Sequence, residues 1–302
     1  MRKIALNITN EFDPLSHVVV GTGTGYHRDR ARVEVVNETQ QRAFNAGAYP
    51  SEQTLLGEFA AFKAVLKENN IHVYEPRLAP VTVQDQTCPR DIGFVIGDVL
   101  VIAAMRNHSR AEEFAGIRHL LEYWHGHVIE APDDAFLEGG DVIIDDQHIF
   151  VGYGQRSDRA GVEFMQDVFG QAYEIVPMAC RSVAQGENIL HLDCTFNPLG
   201  LGHVLIYKNG LLNVPPIVTE KYIEIPVDRI EAEALATNVF SIRPDTVIAR
   251  SAPQCARVNA VLKDLGYRVI EVDFDLVPST GGSFRCVTMP VHRIAATGQS
   301  AA

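Results

Sequence analysis

Pairs of short β-branched runs, each folded around a tight polar turn, recur along this chain at a spacing of roughly 50 residues. Val95-Ile96-Gly97-Asp98-Val99-Leu100 is one such unit, and residues 142–150 and 204–211 supply two more. Asn209-Gly210 in the third predicts a hairpin turn. Further strand-like runs lie at 17–20, 247–249 and 268–272. Between them, apolar residues fall at helical spacing over 55–69, 110–124, 158–169 and 252–265, with Gly266 as a stop signal. The first of these helices is expected to bury Leu56, Phe59, Phe62, Ala64 and Leu66. No low-complexity linker interrupts the alternation. The expectation is one α/β domain over residues 1–294, built on a degenerate internal repeat, with a frayed tail over 295–302.

Charge narrows the function. The 302 residues carry a formal net charge of -12, which argues against a nucleic-acid binder needing a basic face. An acidic pocket within such a chain would attract a cationic small molecule. No apolar run reaches membrane-spanning length, and residues 1–9 turn polar too soon for a secretory leader. Cys88, Cys180, Cys194, Cys255 and Cys286 are odd in number, widely spaced and without a CxxC pair. They suggest reduced thiols in a cytoplasmic protein, with neither a disulfide framework nor a zinc site.

Three segments carry chemistry. Cys286 follows Gly281-Gly282, a pair that lets backbone turn tightly beside a ligand, and Arg285 could help lower the thiol pKa. Glu138-Gly-Gly-Asp141 precedes the strand at 142–144, which sets Glu138 at a sheet rim. His191-Leu192-Asp193, if extended, points both polar side chains to one face, and such a histidine can exchange protons near neutrality. Each segment alone also fits a structural role: a small buried thiol, a solvated turn, a satisfied histidine. Arg90-Asp91 alone reads as a structural ion pair, and the charged residues of 110–118 as a solvated face, Arg110 excepted.

Together the segments resemble the guanidine-modifying (pentein) superfamily of arginine deiminases, dimethylarginine dimethylaminohydrolases and amidinotransferases. The motifs stand in family order: residues 10–15 before Val18-Val19-Val20-Gly21, Cys88-Pro89-Arg90-Asp91 before Gly97-Asp98, then Glu138-Gly-Gly-Asp141, His191-x-Asp193 and Gly-Gly-x-x-x-Cys286. The resemblance implies a five-bladed, pseudo-symmetric α/β propeller that needs no metal or organic cofactor. It implies Cys286 as nucleophile on the guanidinium carbon, His191 as acid and then base, and Glu138 holding a substrate nitrogen. Asp91 and Asp193 would grip guanidinium N–H edges in bidentate fashion. Arg156 and Arg110 would meet a substrate carboxylate, although both also suit a surface position.

Glu138, where amidinotransferases of the superfamily typically carry aspartate, implies hydrolysis. Asp193, which dimethylarginine hydrolases usually lack, implies an unsubstituted guanidinium edge as in arginine deiminases and dihydrolases. Departures cut the other way. Cys88 stands where deiminases place an aromatic residue, Asp85 where they use asparagine, and their extra helical module is missing. The opening residues and Cys88-Pro-Arg-Asp91 resemble amidinotransferases. The expected function is cysteine-dependent hydrolysis of arginine or a close derivative through a thiouronium intermediate. Amidino transfer to an amine and a non-catalytic arginine sensor are the alternatives. A small-molecule guanidine is the expected partner, with no nucleic acid and no membrane, and self-association is left open.

Overall fold

The computed structural model describes residues 3–27, 34–80 and 82–295. Among these residues, five three-stranded sheets share one topology. Gly93–Ile96 folds back antiparallel on Val99–Ile102, which pairs parallel with His127–Glu130. The same order recurs in Val142–Asp145, His148–Tyr153 and Glu174–Ala179. It recurs again in Phe196–Pro198, His203–Ile206 and Ile223–Pro226, and in Phe240–Arg243, Thr246–Arg250 and Arg268–Val272. The fifth sheet joins distant parts of the chain: Thr288–Arg293 pairs antiparallel with Leu15–Val20, which pairs parallel with His72–Tyr74. A parallel third strand needs a crossover, and helical segments supply it. The recurrence of the sheets matches the repeat read from the sequence, and their number is the one the family resemblance implied.

Helix α2 (Glu52–Glu68) begins at a Ser51/Thr54 capping box and buries Leu55, Phe59, Phe62 and Leu66. Leu55, rather than Leu56, lies on the inner stripe, and Leu56 and Ala64 face outward. Phe62 packs 4.8 Å from Phe284, whose ring also stacks on Phe274 at 4.5 Å. That aromatic cluster anchors the segment two residues before Cys286.

Two local expectations are corrected. Residues 110–124 form separate 3-10 turns, His108–Arg110, Glu113–Gly116 and Arg118–Tyr123, rather than one α-helix. A Cβ on Gly116 would sit 2.2 Å from Gln86 Nε2, and Glu113 turns inward instead of facing solvent, beside Arg110, the one residue excepted from the solvated face. Asn209-Gly210 makes no hairpin either: the antiparallel partner of His203–Ile206 lies upstream, through a turn with Leu201 at φ 59° and Gly202 at φ 77°. Gly210 instead permits close packing on Thr195, whose Oγ1 would lie 2.2 Å from an added Cβ. The hairpins at Gly97 (φ 57°) and Asp146 (φ 56°) form as expected. The frayed tail falls, beyond Ala295, outside the described residues. No helix among the described residues is long and apolar enough to cross a membrane.

Candidate active site

Cys286, His191, Asp91, Arg110 and Arg156 line one cavity, with Glu138 directly behind His191. The paired glycines explain how loops from different sheets meet there. A Cβ on Gly139 would lie 2.2 Å from Arg90 O, and one on Gly140 would lie 2.7 Å from His191 Cγ. Gly282 sits equally tightly, with Cys88 Sγ 2.7 Å and Cys286 Cβ 2.9 Å from its would-be Cβ. Asp141 ties the first loop to the second, accepting from Leu192 N at 2.8 Å and from Ser157 Oγ at 2.6 Å.

Glu138 and His191 form the central pair, Oε2 to Nε2 at 2.7 Å, both fully buried. Burial works against the imidazolium, but Asp91, the Glu138 hydrogen bond and Asp141 outweigh it and hold the His191 pKa at about 10. Burial likewise opposes the Glu138 charge, and the His191 hydrogen bond and the Arg156 guanidinium lower its pKa to about 2. His191 therefore stands protonated at neutral pH. Its Nδ1 lies 3.7 Å from Asp91 Oδ1, and neither atom has a hydrogen-bond partner among the described residues. Two buried, unsatisfied polar atoms facing one cavity are the mark of a ligand site.

Asp91 Oδ2 is held by Arg110 Nη1 at 2.7 Å, and Arg110 is clasped on its other side by Glu113 at 2.7 Å. Arg90 does not pair with Asp91 as the sequence suggested; it faces Glu11 at 3.7 Å. Arg156 donates to Val36 O at 2.7 Å and lies 3.5 Å from Glu138.

His191-Leu192-Asp193 is not a continuous extended segment: His191 stands at the N-cap position of the 3-10 turn Leu192–Cys194, and Asp193 lies within that turn. Asp193 Oδ2 meets Arg285 Nη1 at 2.8 Å, and Cys286 Sγ donates toward the same oxygen at 3.5 Å. Arg285 therefore spends its charge on Asp193 and on Glu11 (2.9 Å) instead of lowering the thiol pKa. The Cys194 contact, burial and the Asp193 charge push the Cys286 thiol well above its ordinary value.

Sequence reading missed several supports. Asn238 Oδ1 accepts from both Arg285 N (3.1 Å) and Cys286 N (3.2 Å), while its amide donates to Asp193 O (3.2 Å). Arg106 N donates to Glu138 Oε1 at 3.1 Å. Nothing in the spacing of these residues signals such roles, because each acts across distant segments. Asp91, Glu138 and His191 also place ligand atoms within 4.8 Å of one another, a donor set that could hold a divalent metal. Nε2 of that histidine is already committed to Glu138.

The cavity is roofed by Val36, Asn37 and Gln40, the last from helix α1 (Glu38–Asn45), and by Thr280 and Gly281. It encloses about 20 Å³, enough for one water and too little for a guanidine compound.

Residues 30–293 match the family described as N,N dimethylarginine dimethylhydrolase, eukaryotic. The uncharacterized protein YkgA of Bacillus subtilis is 34% identical over 86% of this chain and 87% of its own. SxtG, an amidinotransferase from Microseira wollei, superposes with a TM-score of 0.81 at 20% identity, covering 97% of this chain and 99% of its own. The product-bound N-terminal domain of ArgZ, a cyanobacterial arginine dihydrolase, superposes with a TM-score of 0.78 at 21% identity, covering 93% and 98%.

Proposed function

This chain belongs to the N,N dimethylarginine dimethylhydrolase family of the guanidine-modifying (pentein) superfamily, and on that footing we propose that it hydrolyses a C–N bond of the guanidinium of arginine or a close derivative. The observation that carries the reading is the convergence of Asp91 Oδ1 and His191 Nδ1, both unsatisfied, on the cavity lined by Cys286. A guanidinium N–H edge placed there satisfies Asp91, and a departing nitrogen lies within reach of the protonated imidazole. The raised thiol pKa fits a cationic substrate, because a guanidinium beside Cys286 favours the thiolate that attacks it.

In the first half-reaction the bound guanidinium lets Cys286 release its thiol proton to solvent, the thiolate sulfur bonds to the guanidinium carbon, and a C–N bond breaks as His191 gives its Nδ1 proton to the leaving amine. In the second, His191 takes a proton from water as the oxygen attacks, the C–S bond breaks and the thiol is restored. Glu138 holds the imidazole and stabilises its charge throughout. Arg156, whose contacts are a carbonyl and a shared carboxylate, is better placed than the doubly clasped Arg110 to accept a substrate carboxylate. Asp193, already bound to Arg285, acts on Cys286 more directly than on substrate.

Product analysis by mass spectrometry tests the reading, with arginine, dimethylarginine, agmatine and guanidinoacetate supplied with and without glycine. Citrulline or ornithine formed without an acceptor supports it. Product that appears only with an added amine makes the enzyme an amidinotransferase. Arginine bound without any product makes it a sensor.

A further inference from the structure

The mechanism uses one thiol, yet the nucleophile sits among several. Cys194 Sγ donates toward Asp193 Oδ1 at 3.6 Å, and Cys286 Sγ lies 3.8 Å from that same oxygen. The Cys194 side chain is also a hydrogen-bond neighbour of Cys286. Cys88 lines the same cavity as Cys286, and its Sγ and the Cys286 side chain both border the face where Gly282 lacks a Cβ. All are reduced and buried. Hydrolysis gives Cys194 no task. The cavity beside Cys286 admits a water-sized molecule, and a hydroperoxide is little larger.

We propose that Cys286 and Cys194 form a reversible oxidation site, in which Cys194 resolves the oxidised nucleophile as a disulfide. Cys286 sulfur attacks one peroxide oxygen, the O–O bond breaks, and the thiol proton leaves with the other oxygen as water, giving a sulfenic acid. Cys194 sulfur then attacks the sulfenic sulfur; the S–O bond breaks and the hydroxyl leaves as a second water. Peroxide is reduced and two thiols are oxidised, so the electrons balance. Cys194 is preferred over Cys88 because both partners meet one carboxylate, Asp193, which can relay their protons. A disulfide removes the nucleophile without destroying it. Unresolved sulfenic acid goes on to sulfinic acid, which thiols do not reverse.

The readout does not depend on which guanidine compound is the substrate, so its failure is distinct from failure of the proposed function. The full-length protein is treated with excess hydrogen peroxide above about pH 9, where the Cys286 thiolate becomes populated, then alkylated, digested and mapped. The expected result is loss of two hydrogens in intact mass, a peptide pair joined through Cys194 and Cys286, and full recovery of both thiols with dithiothreitol. In Cys194→Ser, Cys286 should instead accumulate as sulfinic acid that dithiothreitol does not recover. A disulfide from Cys286 to Cys88, a link from Cys194 to Cys180, or sulfinic acid as the main wild-type product would overturn the proposal. Mapping the wild-type protein decides this even if the serine variant folds poorly.

Discussion

The proton on His191 is held in place by its neighbours rather than by the intrinsic basicity of imidazole. Replacing Glu138 with glutamine removes the charge that steadies it, and kcat is expected to fall by about 10²- to 10⁴-fold in steady-state assays. The His191 titration, followed by NMR, should move down from about 10 in the same variant. The stability sign follows from the two shifts. A raised histidine pKa contributes fully below its ordinary value of 6.5 and is lost as pH rises through about 10. A lowered carboxylate pKa contributes fully above 4.5 and is lost as pH falls toward about 2. Denaturant midpoints should therefore register most of this one contact between those ordinary values, and a midpoint still rising above pH 8 would contradict it. The Cys286 thiol shifts the other way. Alkylation of the free enzyme by iodoacetamide should stay slow at neutral pH and rise without a plateau beyond pH 9, the ordinary thiol value. A plateau near pH 7 would show that Arg285 activates the sulfur after all. Cys286, His191 and Glu138 could be proposed from residue type and order, and the fold brings them together. The Arg285–Asp193 pairing could not, because its partners lie on segments that only the folded chain brings together.

At the scale of elements, sequence reading gave a close-approach role to the glycine pair before Cys286 and none to the pair after Glu138. Gly140 nevertheless leaves room for the His191 ring. Gly140→Ala is therefore expected to leave the fold in place and lower kcat by about 100-fold, the usual cost of misplacing a catalytic group by an ångström. Helix α1 closes the site with few anchors: Gln40 is its one buried residue among those described, and Asn37 both caps it and donates to Thr280 O at 3.0 Å. Substrate entry requires this roof to shift. Asn37→Ala, which removes the cap and the tether together, should loosen α1 by about 0.5–2 kcal/mol and speed hydrogen exchange over 38–45. Unchanged exchange there would show that other contacts hold the roof. The misread elements share a cause. Periodicity over 110–124 mixed buried charge with apolar residues, and Asn-Gly at 209–210 carried turn propensity that tight packing on Thr195 redirected.

On the scale of the whole molecule, the repeat was readable where strand, turn and strand are contiguous, as at residues 93–102 and 142–153. Closure of the fifth sheet was less so, since it pairs Thr288–Arg293 with Leu15–Val20 across most of the chain. A buried charge cluster lies beside that seam. Arg285 meets Glu11 and Asp193, and burial lowers Arg90 to about 10 and Arg293 to about 9 around the same glutamate. Arg285→Met strands two buried carboxylates, and urea denaturation should show a loss of about 3–5 kcal/mol. The loop that carries the proposed nucleophile is thus held by α2 aromatics, Asn238 and this cluster. The most direct test is a rapid acid quench of enzyme with arginine, followed by peptide mapping. The expected result is an amidino-type adduct on Cys286, absent from Cys286→Ser, which should be folded and inactive. Turnover by Cys286→Ser, or an adduct on another cysteine, would contradict the nucleophile assignment.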